Sequence, residues 1–379
     1  MQFKDTSSVK ECDRCVMNSL VDVELTLNQQ GVCNHCERYD ELIAARVVVP
    51  EQRSKELFNL VEKIKKSGRG DYDCIVGVSG GVDSTYVAYL AKSLGLKPLA
   101  IHFDNGWNSE LAVQNIQNVL ELLEIDLVTY VIDWEEFRDL QRSFLMASTP
   151  DGEIPTDHAI YALLWREASA RSIKYILSGM NFITESISVR GWSYGHSDWR
   201  YIKGIQKKFG TRRLFNYPHY SFLYLFYVTF FKRVRTVSIL NYVDYDKDET
   251  LSLLKDKLGW IDYGGKHHES VYTRFYQGYF LPKKFNIDKR YGHYSDLINS
   301  GQLTREKAKA MLEQPPYAAD LAARDLTYVS KKLGFTETEF ESLLRQEPLD
   351  YRSYRNSYAY VQFLRRLVNK LRAWGLYPK

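Results

Sequence analysis

Short apolar runs and longer amphipathic segments alternate between residues 71 and 185 of the chain. The apolar runs have the length of buried strands, and the segments between them carry helix-type residues. This alternation predicts an α/β fold, in which helices cover both faces of a parallel sheet and ligands bind at the carboxyl ends of its strands. The predicted strands are 72–78, 98–103, 127–132 and 175–178, and the predicted helices are 83–94, 109–123 and 158–172.

Helical patterns dominate the segments on either side. Residues 39–66 are typical of a helix that Pro50 divides, and they connect the N-terminal segment to the α/β region. The C-terminal region after residue 295 is predicted to be mostly helical, with segments near 305–312, 321–332, 337–344 and 354–376.

A glycine-rich turn joins the first predicted strand to the first predicted helix. Its residues are Ser79, Gly80, Gly81, Val82, Asp83 and Ser84. Paired glycines let backbone N–H groups point inward and the helix start adds partial positive charge, so the turn suits a phosphate group. Asp83 is a candidate ligand for the metal ion of a nucleotide. The turn lacks the lysine of a P-loop and the spacing of a dinucleotide fingerprint, and a plain strand-to-helix turn is the structural alternative.

Two cysteine pairs, Cys12 with Cys15 and Cys33 with Cys36, lie near the N-terminus with 17 residues between them. Each pair can direct two thiolates at one ion, so the spacing predicts a structural zinc site with no open position for catalysis. Four reduced thiols packed together, or two redox dithiols, are the alternatives. His35 is expected at the surface rather than as a fifth ligand.

A second group of chemically active residues is Lys266, His267, His268 and Glu269, with Arg274 one turn later. These side chains offer acid–base groups and can stabilise developing negative charge, although a second metal site is a competing interpretation. Asp157 stands at the start of a predicted helix, where it either caps the helix or contacts a ligand.

Composition and charge restrict the class of protein. A net charge of +4 over 379 residues is too small for a protein that depends on bulk attraction to nucleic acid. The polar N-terminus is unlike a secretory signal, so we expect a cytoplasmic protein with reduced cysteines. The apolar run 220–231 is shorter than the roughly 20 residues that span a bilayer. It predicts a core or subunit-contact helix, or, as the sharper alternative, a contact with a membrane surface.

Arginines, lysines and aromatic residues are mixed between residues 187 and 213. This mixture suits a nucleotide-linked or carboxylated sugar and would suit RNA equally well.

The turn at 79–84 resembles the pyrophosphate loop (PP-loop), Ser-Gly-Gly-x-Asp-Ser, of the ATP pyrophosphatases. Members of that superfamily split ATP between its α and β phosphates and adenylate a substrate oxygen. The resemblance implies that Asp83 and Glu185 hold magnesium. It also implies a nucleotide-binding role for the residues at the predicted strand ends, which are His102, Asp104, Gly179 and Glu185; each of these is otherwise a plain loop residue. Asp157 is assigned to the same nucleotide site.

Two groups of enzymes share a zinc ribbon followed by a PP-loop: those that thiolate tRNA, and the N-acetyl sugar amidotransferases of surface-polysaccharide synthesis. Thiolating enzymes usually need catalytic cysteines or iron–sulfur ligands, whereas the only cysteine here outside the pairs is Cys74, which we expect in the core. The segments 155–157, 179–185 and 266–270 look like those of the sugar amidotransferases, and the resemblance covers nearly the whole chain.

The resemblance implies an ATP-dependent enzyme that converts the acetamido group of a nucleotide-linked or nonulosonic sugar into an acetamidino group, in O-antigen and lipopolysaccharide (LPS) synthesis. ATP with magnesium is the co-substrate and zinc is structural. The chain has no spare cysteine for a glutaminase thioester, so ammonia is expected from a separate glutaminase subunit, through a cyclase-like barrel partner. No nucleic-acid partner is expected, and tRNA thiolation is the alternative function.

These assignments divide the chain into five predicted regions. They are a zinc ribbon at 1–40, a helical connector at 41–70, a PP-loop ATP-binding domain at 71–190, a substrate-binding insertion with a site-completing segment at 191–294, and a helical region at 295–379.

Overall fold

The structure is a computed structural model, and it describes residues 9–68, 70–265 and 267–373. Lys266 of the predicted polar cluster lies outside the described residues, as does the end of the last predicted helix.

A five-stranded parallel sheet forms the centre of the fold. Its strands are β1 (Cys74–Gly77), β2 (Pro98–Asp104), β3 (Leu127–Val131), β4 (Tyr175–Ser178) and β5 (Arg235–Ser238). Their order across the sheet is β3-β2-β1-β4-β5. Every pair is parallel: Ile75 of β1 lies opposite both Leu99 and Ile176, and Tyr175 of β4 lies opposite Arg235. The predicted parallel α/β fold is therefore confirmed.

The described part of the chain contains fifteen α-helices. They are α1 (Asn34–Arg46), α2 (Pro50–Ser67), α3 (Val82–Ser93), α4 (Glu110–Leu122), α5 (Trp134–Ala147), α6 (Ile154–Ala170), α7 (Trp199–Phe209), α8 (Phe222–Phe226), α9 (Lys247–Leu258), α10 (Val271–Phe275), α11 (Arg290–Asn299), α12 (Arg305–Glu313), α13 (Ala319–Leu333), α14 (Glu337–Arg345) and α15 (Tyr358–Ala373). Wider π-helical turns continue α8 over Tyr227–Phe231 and α10 over Tyr276–Phe285, and short 3-10 turns lie at Arg190–Trp192, Ile239–Tyr242 and Tyr351–Ser353.

The two faces of the sheet are buried under different helices because side chains alternate along a strand. Ile75 packs with residues of α5 and α6 on one face, whereas its neighbours Cys74 and Val76 pack with residues of α2, α3 and α4 on the other. Cys74 is fully buried, which confirms its predicted place in the core.

Two elements of the α/β region were not predicted. Helix α5 begins after Asp133, whose side chain accepts hydrogen bonds from the backbone N–H groups of Glu135 and Glu136. Strand β5 has only four residues and forms an edge of the sheet, with Arg235 exposed. It comes from the predicted insertion at 191–294, so that segment contributes a strand to the central sheet.

The apolar run 220–231 is largely exposed, so the core interpretation of it was wrong. Leu223 is 83% exposed and Phe231 70%, and Val228 is the buried residue of its π turn. Among the described residues, no helix has both the length and the apolar character needed to cross a membrane.

Candidate active site

The chain crosses the sheet between β3 and β4, which lie on opposite sides of β1. In open parallel sheets such a switch of direction leaves a crevice at the carboxyl ends of the two central strands. Here those strands are β1 and β4, so the glycine-rich turn after Gly77 and the segment after Ser178 face the same crevice.

Hydrogen bonds among its own residues give the turn a fixed shape. The hydroxyl of Ser84 accepts from the backbone N–H of Ser79 at 3.2 Å and donates to the carbonyl of Gly81 at 3.1 Å. Helix α3 then begins at Val82, and the first backbone N–H groups of a helix have no partner within it. A helix start of this kind is a typical binding site for an anion such as a phosphate.

Gly80 and Gly179 allow the backbones around the turn to approach closely. Gly80 has φ +81°, and a Cβ there would lie 2.6 Å from the carbonyl oxygen of Ala112. A Cβ on Gly179 would lie 3.1 Å from backbone and side-chain atoms of Asp83. A side chain at position 80 would push the turn away from Ala112, and one at position 179 would push against Asp83.

A cavity of about 450 Å³, which we call the loop cavity, lies against the turn. It is lined by Ser79, Gly81, Val82, Asp83, Ser84, Gly179, Glu185, Lys247, Leu251, Trp260, Asp262, Tyr263, Gly264, Gly265, His267 and Glu269. The two predicted magnesium ligands, Asp83 and Glu185, thus share one cavity. Carboxylate oxygens are the ligands that magnesium prefers, so this pair fits the ion.

Two tyrosines that the sequence analysis missed border Asp83. The hydroxyl of Tyr245 donates a short hydrogen bond to Oδ1 of Asp83. Burial and the charge of Asp83 raise the pKa of Tyr245 above its usual value. Burial, Glu269 and Asp83 likewise raise the pKa of Tyr263. Both hydroxyls therefore keep their protons, and that of Tyr245 is a hydrogen-bond donor to Asp83.

A second cavity of about 370 Å³, the strand-end cavity, adjoins the first. Part of its lining is apolar and comes from the sheet and α6, including Leu163, Leu164 and Ile176. The polar part of its lining includes His102, Asn105, Asn108, Glu153, Thr156, Asp157, Ser270, Thr273, Gln277 and Lys289. Ser79, Gly179, His267 and Glu269 line both cavities. The two cavities therefore share a wall formed partly by the turn itself.

Glu153, Gln277 and Lys289 come together in the strand-end cavity although they are far apart in the sequence. The side-chain amide of Gln277 donates to Oε2 of Glu153 at 2.7 Å, and Nζ of Lys289 lies 3.3 Å from the same oxygen. Burial disfavours the charge of Lys289, but Glu153 and two neighbouring aspartates outweigh this and raise its pKa. Lys289 therefore remains a cation in the lining of the strand-end cavity.

His102 is buried, and both of its ring nitrogens have protein partners. Nδ1 lies 2.9 Å from the carbonyl oxygen of Val78, which can only accept, so Nδ1 carries the hydrogen. Nε2 then accepts from the side-chain amide of Asn108 at 3.0 Å. His102 thus ties β2 to the residue just before the turn, while its ring lines the strand-end cavity.

The polar cluster at 266–274 is divided by the fold. His267 and Glu269 line both cavities, with Nδ1 of His267 3.5 Å from Oε1 of Glu269. His268 and Arg274 are not in the lining of either cavity: Arg274 makes a bidentate ion pair with Asp325, at 2.6 and 2.9 Å. Burial and Arg274 lower the pKa of His268.

Of the predicted strand-end residues, Gly179 and Glu185 line the loop cavity, and His102 and Asp157 line the strand-end cavity. Asp104 is outside the lining of both cavities. Its Oδ1 instead accepts a hydrogen bond from the backbone N–H of Gly106 at 2.9 Å, which closes a tight turn after β2.

The four N-terminal cysteines form a buried cluster. Their sulfur atoms all lie within 4.8 Å of one another, with 4.0 Å between Cys12 and Cys36 and 3.7 Å between Cys15 and Cys33. Four sulfurs at the usual zinc–sulfur distance of about 2.3 Å in a tetrahedron would lie about 3.8 Å apart. The donor set therefore fits a tetrahedral metal ion. His35 is buried and pairs with Asp22 at 2.7 Å, so the expectation of a surface residue was wrong.

Comparisons with known proteins match two separate segments of the chain. Residues 269–368 match the family "LPS biosynthesis protein WbpG-like, C-terminal domain", and residues 73–161 match the family "Queuosine biosynthesis protein QueC". The glutamine-hydrolysing GMP synthase of Pyrobaculum aerophilum is 37% identical over 83 residues, which are 22% of this chain and 16% of that protein. The chain therefore spans about one sixth of that relative's length.

Two solved structures show a distant likeness. The NMN synthetase of Francisella tularensis has 15% identity over 80% of this chain and 98% of its own, with a TM-score of 0.37. The NH3-dependent NAD synthetase of Campylobacter jejuni has 15% identity over 57% and 90%, with a TM-score of 0.30. These likenesses are too low to bear on function. The two family matches, together with the turn and the sheet around it, support an ATP-using PP-loop enzyme with a WbpG-like C-terminal segment.

Proposed function

We propose that the protein is an ATP-dependent amidotransferase that converts the acetamido group of a nucleotide-linked N-acetyl sugar into an acetamidino group. The observation that carries this proposal is the shared wall of the two cavities. A turn suited to pyrophosphate borders a second cavity whose polar residues, such as Asp157 and Gln277, can face an acceptor. The WbpG-like match at 269–368 supports a role in LPS or O-antigen synthesis.

In this proposal the loop cavity takes the phosphates of ATP. Ser79, Gly80, Gly81, Val82 and Ser84 hold the pyrophosphate through backbone N–H groups and hydroxyls. Asp83 and Glu185 would hold magnesium, which would neutralise phosphate charge. The apolar part of the strand-end cavity, which Leu163 and Leu164 line, suits an adenine ring.

The reaction begins when the amide oxygen of the acetamido group attacks the α-phosphate of ATP. This step forms an O-adenylyl imidate and releases pyrophosphate. Ammonia then forms a bond to the imidate carbon, and the carbon–oxygen bond to AMP breaks. Activation is needed because an amide oxygen is a poor leaving group. His267 and Glu269 lie on the shared wall, where they can contact the sugar and the developing charge.

Ammonia would come from a separate glutaminase subunit, with a cyclase-like barrel as a further partner. A glutaminase that works through a thioester needs a reactive thiol. All five cysteines of the chain are buried: four form the N-terminal cluster, which would hold zinc, and Cys74 lies in the sheet. The same observation disfavours tRNA thiolation, because neither cavity is lined by a cysteine.

The test is to incubate the purified protein with ATP, magnesium, ammonium and a panel of nucleotide-linked diacetamido sugars, and to determine the masses of the products by mass spectrometry. We expect AMP, pyrophosphate and a sugar in which one oxygen has been exchanged for an NH group. A Ser84→Ala variant, which loses the hydroxyl that shapes the turn, should release much less AMP. Release of AMP that requires tRNA and a sulfur donor, with no modified sugar, would overturn the proposal in favour of thiolation.

A further inference from the structure

Asp157 is an acidic residue of the strand-end cavity, which takes the acceptor in the proposed function. It is in the first turn of α6, and its side chain, 42% exposed, lines the strand-end cavity together with Ser79 of the PP-loop. The sequence predicts that it binds the nucleotide or caps the helix. The structure disfavours the capping role, because Glu153 is the N-cap residue of α6.

A histidine and a second aspartate stand behind Asp157. Nδ1 of His196 lies 3.7 Å from Oδ2 of Asp157, and Nε2 of His196 lies 2.8 Å from Oδ2 of Asp151. A carboxylate only accepts hydrogen bonds, so Nε2 carries a hydrogen toward Asp151, and Nδ1 is the ring nitrogen that faces Asp157. The three groups are therefore arranged in a line that leads from the cavity into the protein.

The surroundings hold this line in place. The side chain of Asp151 is 5% exposed, and its Oδ1 accepts from the backbone N–H of Glu153 at 3.1 Å. The backbone carbonyl of His196 accepts from Nδ1 of buried His158 at 2.7 Å. Asp151 and His196 are thus fixed by buried partners, so the groups behind Asp157 keep their geometry.

The charged groups that face Asp157 tune it for this task. Part of the Asp157 side chain is exposed to the cavity, but desolvation by the surrounding walls raises its pKa to about 6; the charges of His196 and Lys289 act against the rise, and Glu153 and Asp151 add to it. Tyr161, Tyr217 and Tyr220 also face the carboxyl, and each has a raised pKa. A general base works best when its pKa lies near the working pH, because it is then both ionised and able to hold the proton.

We propose that Asp157 is the catalytic base that takes a proton from the attacking nitrogen, and that His196 and Asp151 are positioning residues behind it. This inference rests on the proposed function. An ammonium ion gives one proton to the Asp157 carboxylate, and the lone pair of the resulting ammonia forms the bond to the carbon of the N-protonated imidate. The carbon–oxygen bond then breaks with its electron pair on the phosphate oxygen. That oxygen takes a second proton from the nitrogen, so that the amidinium sugar and the AMP monoanion are the products.

The experiment compares two nitrogen nucleophiles in the full-length protein. Ammonium must lose a proton before it attacks, whereas hydroxylamine is largely unprotonated at neutral pH. Asp157→Asn should lower kcat with ammonium by about 100-fold or more. With hydroxylamine the same variant should lose less than about tenfold, because the proton transfer that it lacks is bypassed. Activity with hydroxylamine also shows that the variant is folded and still forms the adenylate.

The pH profile provides a second readout that a purely structural role would not change. With wild-type protein, kcat with ammonium should fall as the pH drops through the pKa of Asp157, and this acid limb should disappear in Asp157→Asn. His196 holds that pKa down, so His196→Asn should move the acid limb to higher pH. Asp320→Asn is the matched control: it also lies in the first turn of a helix, α13, but outside both cavities. It should behave as wild type.

The outcomes separate the two proposals. If wild-type protein makes no amidino product from ammonium with any sugar of the panel, the proposed function fails, and this inference fails with it. If wild-type protein makes the product but Asp157→Asn loses equal activity with both nucleophiles, or keeps the acid limb, the proposed function stands and Asp157 is not the base.

Discussion

Replacement of Gly80 by alanine tests whether the shape of the PP-loop depends on the absence of a side chain. Gly80 has φ +81°, a conformation that costs an L-residue about 1–2 kcal/mol. The new Cβ would also lie 2.6 Å from the backbone oxygen of Ala112, which belongs to helix α4 and cannot rotate away. Overpacking of this kind typically costs about 1–3 kcal/mol. We expect Gly80→Ala to lower the free energy of unfolding by about 2–5 kcal/mol.

Gly301→Ala separates the two costs. Gly301 has a similar φ of +77°, but a Cβ there would meet no atom within 4 Å. Urea unfolding of this control should therefore show the conformational cost alone, about 1–2 kcal/mol. Gly80→Ala should also weaken ATP binding, because the loop must move and the carbonyl of Gly80 is held by Nε1 of Trp260 at 3.0 Å. Equal stability losses in the two variants, with ATP affinity unchanged at Gly80→Ala, would refute this account.

Three further predictions concern the metal sites and the surface. Glu185→Gln should raise the magnesium concentration needed for half-maximal AMP release by at least about tenfold. The control variant Glu167→Gln, on α6, should leave that concentration unchanged. A normal magnesium requirement in Glu185→Gln would show that Glu185 is not a ligand of the ion. Chelation of the purified protein should release zinc in equimolar amount. The segment before residue 47 should then be the first to be cut by protease, because metal binding supplies the folding energy of such a module. A zinc-free protein that resists protease as well as the zinc-bound protein would contradict this. The exposed apolar run is followed by Lys232, Arg233 and Arg235, so we expect the wild-type protein to sediment with anionic vesicles. The bound fraction should fall at least about tenfold in the double variant Phe230→Ser, Phe231→Ser. Wild-type protein that does not sediment with vesicles but forms dimers in solution would indicate self-association instead.

The sequence contained enough information for four strands of the sheet but not for the edge strand β5. Four strands were predicted because each is a compact apolar run, and the structure confirms them to within a few residues at their ends. Strand β5 has too few apolar residues to stand out, and it is defined by its pairing with β4. Helix α5 could have been found, since Phe137, Leu140 and Phe144 recur at helical spacing behind the cap at Asp133.

The candidate site shows the same division between local and long-range information. The PP-loop and the cysteine pairs are local motifs: the structure places the turn between β1 and α3 and brings the four cysteine sulfurs together, as predicted. Glu153, Gln277 and Lys289 lie on three distant segments, and no local pattern relates them. Closeness in sequence does not ensure a shared site either. His267 has φ +64°, and the side chains of the adjacent residues His267 and His268 point to different places.

The position of the cysteine cluster connects it to the proposed magnesium site. The guanidinium of Arg305 on α12 donates to the carbonyl oxygens of Cys12 and Cys15 at 2.8 and 2.9 Å. The hydroxyl of Tyr39 on α1, the helix that carries Cys36, donates to the carbonyl of Ile183, two residues before Glu185.

Asp296 of α11 fixes the same loop from beyond Glu185. It accepts hydrogen bonds from the hydroxyl of Ser186 at 2.8 Å and from the backbone N–H of Ile187 at 3.1 Å. Asn299 of the same helix lies 3.3 Å from the sulfur of Cys36. Glu185 is thus held between Ile183 and Ile187 by two elements that both contact the cysteine module. Because a metal ligand must be positioned within fractions of an ångström, loss of the structural metal should weaken magnesium-dependent catalysis even though the cysteines lie outside the lining of both cavities.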